Sequence, residues 1–401
     1  MSRILIAFCL LGLVSSSADA QSSPFQRDAR TTAGWVFTPG ASVGGLWDSG
    51  IQTDADPGVE ALFQKWVVLA NPHAELDFNG RRTHFNLGYS GSFEKYWTSS
   101  LNWVQSGRAG VTHTVTPRLN ISGDTAYTVV PTTDRLQLVN GAVPYLPVNS
   151  RWIDAGGGFT FRASTRTTVN GAYRFQSVTF DEDTPVLGGF GQLRDGYTQS
   201  QTVGFMREFS TRLSLGAEGQ YRRDNIGEVE YQFEVKTVTG QFSYRLDSVS
   251  TIFGGGGASS LESPGTGEGT TAPTFNAGFS RVMRTVRVDA SYSRGFEQLF
   301  GFGSLAGSDT FSGGAFIPFA ERVYYLDSSL TYTHSDPGRS LGIGLDYTTL
   351  WSNVAVGRQL TPYLRGEGFV SFAHQSSNGQ DSTQHTRIGI QIVTSKPMRI
   401  Q

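Results

Sequence analysis

Val203 to Arg223 reads VGFMREFSTRLSLGAEGQYRR, two strands joined by a very short turn at Ser210, Thr211 and Arg212. On the second strand Leu213, Leu215, Ala217, Gly219 and Tyr221 share one face, and Ser214, Gly216, Glu218, Gln220 and Arg222 share the other. Side chains alternate with period two along a strand, so one face is apolar and the other strongly polar. A soluble sheet would lay the apolar face on a core. A membrane strand would set it in lipid and turn the polar face to a wet lumen. The rest of the chain decides between them.

The alternation recurs in both directions. Strand one, Gly34 to Asp48, places Trp35, Phe37, Ala41, Val43 and Trp47 on one face; strand two, Gln64 to Phe78, does so with Trp66, Val68, Ala70, Ala74, Leu76 and Phe78. Asn79-Gly80, a strong hairpin signal, leads to strand three with Thr83, Phe85, Leu87, Tyr89 and Phe93 outward. Strand four ends at Val115, and Thr116-Pro117-Arg118 opens strand five; Ser164-Thr165-Arg166 opens strand seven in the same way. Asp247-Ser248 and Met283-Arg284 make further tight turns. Toward the end, 297–319 reads as the longest connection and 261–271 as a loop rich in Gly, Ser and Thr. Asp336-Pro337-Gly338 reads as a turn, with Leu341 to Tyr347 as strand fifteen. Leu360-Thr361-Pro362-Tyr363-Leu364 turns the chain into strand seventeen, and Ile388, Ile390 and Ile392 mark strand eighteen.

Every second connection is short, most of the others are long, and the strand count is even. The short turns repeatedly place an Arg just before an apolar residue: Arg118, Arg212, Arg284 and Arg339. Short turns on one rim, long loops on the other and an even antiparallel count belong to a membrane barrel. A soluble sandwich has no reason to sort its loops this way.

Composition agrees. The hydrophobic fraction is only 38 %, aromatics make up 12 % and glycines number 49 among 401 residues, a polarity a membrane barrel tolerates because only alternate residues meet lipid. Met1-Ser2-Arg3, an apolar run from Ile4 to Val14 and Ala18-Asp19-Ala20 read as a signal peptide over residues 1–20. That run is too short to cross a bilayer as a helix. Cys9, the single cysteine, lies inside it, so the exported chain has no thiol for disulfides, thiolate metal sites or cysteine catalysis. Arg3 and Asp19 cancel, so the remainder keeps the net charge of −2, without the basic excess expected of a nucleic-acid partner. Beyond the leader, 21–33 reads as a short periplasmic segment, 34–394 as the barrel and 395–401 as a tail. No plug domain is expected before Gly34, and no periplasmic domain after strand eighteen.

The turns TPRL at 116–119 and LTPYL at 360–364, with the sorted loops, resemble the bacterial outer-membrane β-barrels of Gram-negative cells, in particular porin-like proteins. The resemblance spans the chain after residue 20. It implies an all-β, antiparallel up-and-down barrel of about 18 strands (16–18) with periplasmic turns and extracellular loops. It also implies outer-membrane lipid, lipopolysaccharide and the barrel-assembly machinery as partners. More distantly the chain is similar to the β-barrel porins linked to exopolysaccharide gene clusters. It departs from the pattern at its end, Pro397-Met398-Arg399-Ile400-Gln401, which lacks the aromatic last residue common in such barrels.

Chemistry is sparse. His73 and His84 flank the turn at 79–82, without a serine or carboxylate motif to complete a catalytic set, so they read as wet lumen histidines. Asp54/Asp56 and Asp181-Glu182-Asp183 offer oxygen ligands but lack metal-loop spacing, and read as solvated loop charge. The glycine run 254–257 is not followed by a helix and reads as relief of crowding or a strand bend. Trp35, Trp47, Trp66 and Trp97 lie near strand ends, where rings favour the membrane interface. No catalytic residue, cofactor or metal is expected.

The polar faces supply the candidate lumen lining: Arg82, Glu94, Asp154, Arg162, Arg174, Glu218, Arg222, Arg287, Asp289, Asp327, Arg365 and Glu367. A barrel this wide leaves an aqueous channel. The expected function is passage of hydrophilic solutes. The alternatives are exopolysaccharide secretion, and an adhesin or structural barrel with a loop-blocked lumen. Two segments are candidates to narrow the pore, 131–149 and 297–319. Leu136, Leu138, Val143, Tyr145 and Leu146 in the first, and Phe300, Phe302, Leu305 and Phe316 in the second, would not be favoured at a wet loop tip. Asp134 and Arg135 would set a field across the opening. The competing use of these apolar residues is contact with a second copy in a homo-oligomer or with another partner.

Overall fold

Eighteen long strands form one closed antiparallel sheet in the computed structural model. They are β1 Gly34–Asp48, β2 Lys65–Asn79, β3 Thr83–Tyr96, β4 Leu101–Thr116, β5 Leu119–Val130, β6 Ser150–Arg162, β7 Thr167–Phe180, β8 Gly196–Glu208 and β9 Leu213–Ile226. They continue with β10 Tyr231–Arg245, β11 Ser250–Ser263, β12 Glu268–Val282, β13 Arg287–Leu299, β14 Ser304–Phe319, β15 Tyr324–Leu341, β16 Tyr347–Thr361, β17 Leu364–Ser377 and β18 Gln380–Ser395. The structure describes residues 34–50, 52–53, 65–96, 101–136, 141–146, 148–181, 193–227, 231–265, 267–283, 285–301, 304–341, 346–377 and 380–400. Residues 1–33, Trp97, Leu138, Phe302 and the acidic positions 54, 56, 182 and 183 lie outside that set.

Each strand pairs with its sequence neighbour, and β1 also pairs with β18 from Gly40↔Ser395 to Asp48↔Arg387, which closes the ring. Closure satisfies both edges of the sheet, as strands surrounded by lipid require. The outer face carries the apolar set: Trp66 is 69 % exposed, Val238 68 %, Val203 62 % and Ile390 72 %. A continuous belt of this kind would be an aggregation surface in water and is satisfied by lipid. The inner face is polar. Across three strands, Asn71 Nδ2 donates to Ser42 Oγ at 2.8 Å and Ser42 Oγ donates to Gln391 at 2.9 Å.

The short turns share a local device. The Ser210 hydroxyl accepts from the backbone N–H groups of Arg212 (3.1 Å) and Leu213 (2.9 Å), and Thr116 does the same for Arg118 and Leu119. Ser164 accepts from Arg166 N at 3.2 Å. A hydroxyl two residues before the arginine mimics a backbone turn, so the turn uses the arginine's N–H and leaves its side chain to project.

Several expectations change. The segment 297–319 is not a long loop, because it contains β14; Phe311, Gly313, Ala315, Ile317 and Phe319 alternate with Thr310, Ser312, Gly314, Phe316 and Pro318 there. Its glycines and serines hid the period. Asp336-Pro337-Gly338 is not a turn but the distal end of β15. The ladder with β16 reaches only His334↔Thr348, so the missing N–H of Pro337 breaks no bond on that side. Arg339 therefore does not belong to the set of turn arginines, and Leu341 ends β15 rather than opening a strand. One strand overlooked and one invented leave the total at eighteen.

The stretch 261–271 is mostly strand, with the turn at 264–267. Only three connections on that rim are long: 49–64, 131–149 and 181–195. Gly254–Gly257 lie within β11, where a Cβ at Gly257 would collide with the Val238 carbonyl oxygen. At the end of the chain, Met398–Ile400 pairs with Trp35–Phe37 in the register of β18, so part of the expected tail extends the seam past Lys396-Pro397.

Candidate functional site: the barrel mouth

The described residues between β5 and β6, 131–136, 141–146, 148 and 149, fold into the barrel. Thr133–Arg135 make a single 3₁₀ turn, and Thr133 N donates to Leu146 O at 3.0 Å while Leu146 N donates to Thr133 Oγ1 at 2.7 Å. These bonds fold the segment back on itself. Leu136, Val143, Leu146 and Val148 then bury against Val130, Val178, Phe180 and Phe300. Val130, Val178 and Phe180 are inward residues of β5 and β7, so the apolar side chains that looked misplaced in a loop face the lumen wall. Full burial of such a side chain is worth roughly 1.5–3 kcal/mol. Four of them hold the segment inward.

On the far wall, Tyr145 N donates to Gln375 Oε1 at 2.9 Å and Gln375 Nε2 donates to Val143 O at 3.0 Å. Gly141–Ala142 adds a short parallel pairing to Gln298–Leu299 of β13. The top of the β13–β14 hairpin meets it there. β13 stops pairing with β12 at Arg294↔Phe275 but stays paired with β14 to Leu299↔Ser304, so the hairpin tip leaves the wall. Phe296 and Leu305 pack with Ile226, Phe233, Val235 and Leu261. Arg222 of β9 bonds the Phe296 carbonyl at 2.9 Å and Asp224 at 2.8 Å, and Thr198 bonds Asp224 and Gln298. β9 and β13 are not neighbours, so these contacts cross the lumen. Gly301 lies at the tip with φ +81°, and a Cβ there would come within 3.0 Å of Pro144.

The start of the segment is clamped by charge. Arg135 makes a bidentate pair with Glu94 of β3 at 2.9 and 3.0 Å. Arg387 of β18 donates to Glu94 at 2.6 Å and to Asp48 of β1 at 3.1 Å, and Tyr96 OH donates to Asp48 at 2.9 Å. His385 lies between two carboxylates, with Nε2 2.7 Å from Asp48 and Nδ1 2.6 Å from Asp134. A ring facing ionised carboxylates at both nitrogens donates from both and is cationic. Burial pushes the Asp134 carboxyl up, but His385 and Arg135 outweigh it and hold it at about 2. Burial alone would make Arg135 easier to deprotonate, and Glu94 and Asp134 reverse that. Burial pushes the Tyr145 hydroxyl up. The cluster sets three carboxylates against three cations, so it is close to neutral.

Of the residues singled out from sequence, Glu94, Asp134 and Arg135 meet in this clamp. Arg174 pairs with Asp154 at 2.8 Å and lies 3.9 Å from Asp124; Arg365 pairs with Glu367 at 3.4 Å, and Arg287 with Asp289 at 3.3 Å. Glu218 and Asp327 share the inward faces of β9 and β15, and neither has an ion-pair partner among the described residues. Arg82 and Arg162 are exposed at the short-turn rim rather than deep in the lumen. His73 and His84 are not brought together: His84 Nδ1 lies 2.8 Å from Asn79 Oδ1, and His73 lies over Gly40. Among the described residues no group of three or more His, Cys, Asp and Glu is placed to hold a metal ion. Sequence reasoning missed Asp48, His385 and Gln375. Strand parity alone puts them on the polar face, but only closure of β18 on β1 brings Asp48 to His385.

A closed barrel with an apolar outer belt, a polar interior and a mouth narrowed from within defines a porin-like β-barrel of the outer-membrane type. No family model matches the chain, and no curated protein matches it. Among solved structures it is similar to OccAB4 of Acinetobacter baumannii, at 9 % identity over 92 % of this chain and 100 % of that one, with a TM-score of 0.46. It is similar to OccK1 (OpdK) of Pseudomonas aeruginosa at 9 % identity over 90 % and 99 %, with a TM-score of 0.44. OprD of the same organism gives 10 % identity over 93 % and 98 %, and a TM-score of 0.39. The class rests on the strand pairing and the two faces of the wall, not on these likenesses, and nothing in them favours exopolysaccharide secretion.

Proposed function

We propose that this protein is an outer-membrane channel for small hydrophilic solutes, in which residues 131–149 and the tip of the β13–β14 hairpin set the width of the opening. The observation that carries this reading is the inward fold of the described residues of 131–149, clamped by the Glu94–Arg135–Arg387 and Asp48–His385–Asp134 contacts. A barrel of this strand number is wide enough for water, and selective pores narrow such a lumen with an infolded loop. Below the mouth, Asp154 with Arg174, Arg365 with Glu367, Arg287 with Asp289, and Glu218 and Asp327 line the path of a solute. Hydrated polar groups of both signs suit hydrophilic cargo.

Planar-bilayer recording of the purified protein tests this. A steady conductance is expected, and deletion of 134–146 should raise it. A silent bilayer with folded protein would refute the channel and favour a structural barrel blocked by its own loops. Unchanged conductance after the deletion would remove this segment from the pore.

A further inference from the structure

The turn arginines have no part in the channel mouth, and the fold brings them all to the opposite rim. Each short turn, apart from that at Pro362-Tyr363, contains or borders an arginine: Arg81 and Arg82, Arg118, Arg166, Arg212, Arg245, Arg287 and Arg322. Among the described residues in and immediately flanking these turns, the carboxylates are Glu208, Asp247 and Glu321. The whole chain has a net charge of −2, so this rim is strongly basic against a slightly acidic average.

Two features separate these arginines from ordinary solvated charge. Arg118, Arg166, Arg207, Arg212, Arg322 and Arg358 are exposed and have no carboxylate partner among the described residues. Of the cations that face outward near the other rim, three are paired, Arg223 with Glu234 at 3.0 Å, Lys236 with Glu262 at 2.8 Å and Arg294 with Asp309 at 3.8 Å, while Arg151 is exposed without a carboxylate partner among the described residues. Two of the unpaired ones, Arg207 and Arg358, also sit on an aromatic collar that continues the lipid-facing belt, as does Lys396. Arg207 lies 5.6 Å over the Phe209 ring, Arg358 lies 5.5 Å over Tyr324, and Lys396 lies 5.8 Å over Tyr363. Phe319 stacks on Tyr324 at 5.7 Å. Phe209, Phe319 and Tyr363 are about half exposed. Arg207 and Arg358 share the outward faces of Phe205 and Val356, one step nearer the rim. A long side chain laid along an apolar wall with its guanidinium at the edge of the belt sits at head-group depth.

We infer that this arginine–aromatic collar binds the phosphate groups of anionic phospholipids in the leaflet at the short-turn rim. Guanidinium matches phosphate oxygens in a bidentate fork and remains charged throughout. A cation near an anionic membrane surface gains attraction that fades with salt. The spacing around the ring presents many phosphates with separate partners, which suits a lipid annulus rather than one dissolved anion. The collar holds the barrel at a fixed depth where belt gives way to turn.

The test uses the full-length folded protein in detergent, titrated with phosphatidylglycerol or phosphatidylcholine and followed by native mass spectrometry. Phosphatidylglycerol should be retained at least about tenfold better, a preference that should shrink in about 0.5 M salt. A variant with Arg118→Gln, Arg166→Gln, Arg207→Gln, Arg212→Gln and Arg358→Gln should lose the preference, while Arg223→Gln with Lys236→Gln should keep it. Heat-modifiable mobility on gels establishes that each variant is folded, and the salt response of the unaltered protein needs no variant. Equal retention of the two lipids would overturn the inference, as would an unchanged preference in the five-fold variant. Displacement of the lipid by an equal concentration of inorganic phosphate would also overturn it, by making the collar a site for a free anion.

Discussion

Replacing Glu94 by Gln keeps the shape of the side chain and removes the charge that holds Arg135 and Arg387. Glu94 is 1 % exposed, and the two guanidiniums sit within 2.6–3.0 Å of its oxygens. Removing one partner of a buried pair costs about 3–5 kcal/mol, because the other charge stays buried without compensation. Arg387 keeps Asp48 at 3.1 Å, which points to the lower end of that range. The barrel wall cannot relieve the strain without breaking its ladder, but the loop can release Arg135 by leaving the wall. A loss of about 3 kcal/mol therefore falls on loop docking and raises the undocked fraction on the order of a hundredfold. Single-channel recordings of Glu94→Gln should show frequent excursions to a higher conductance, and trypsin should cut after Arg135 far faster than in the unaltered protein. The double variant Glu94→Gln with Arg135→Gln should recover part of the docking, since no buried cation of the loop is then left unpaired. Unchanged conductance with Arg135 still protected would refute the clamp.

Other outcomes follow from the same geometry. Val238→Arg places a charge mid-strand on the lipid face and should cost about 2–4 kcal/mol in folding from urea into bilayers, whereas Gln220→Arg on the inner face should be nearly neutral. Leu215, two residues from the start of β9, should tolerate Arg better than Val238 does, at about 0–1 kcal/mol, because it lies near the rim. With Cys9 as the one native thiol, Gly265→Cys should react with an impermeant maleimide on intact cells and Ser210→Cys should not; the reverse pattern would invert the topology. Asp134 is held down at about 2 from its ordinary value, with His385, Arg135 and Tyr145 facing it. Its ionised form thus stabilises docking, fully above about pH 4 and progressively less as pH falls toward 2. Trypsin-independent probes of the loop, such as hydrogen exchange at Leu136, should show loosening as pH falls through that acid window; full protection retained at pH 2 would refute the role of the Asp134 carboxylate.

The class of fold was legible because a membrane barrel writes itself locally. Period-two alternation in Val203 to Arg223 and short turns with an arginine just before an apolar residue each depend on neighbours within a few residues, and lipid outside with water inside leaves little freedom about which face is apolar. The apolar residues of 131–149 were legible as a segment with something to bury. Their partners were not. Strand ends near the second rim blur where Gly, Ser and Pro interrupt the period, so the sequence of β14 reads as loop and that at the end of β15 as a turn. Glu94, Asp134 and Arg135 could be picked out one at a time, but their meeting depends on which inward residues lie across a lumen. That is decided when β18 pairs with β1, which sets Asp48 beside His385, 337 residues away. Alternation fixes the face a side chain occupies, while its partner across the barrel depends on register and closure, which no local pattern encodes.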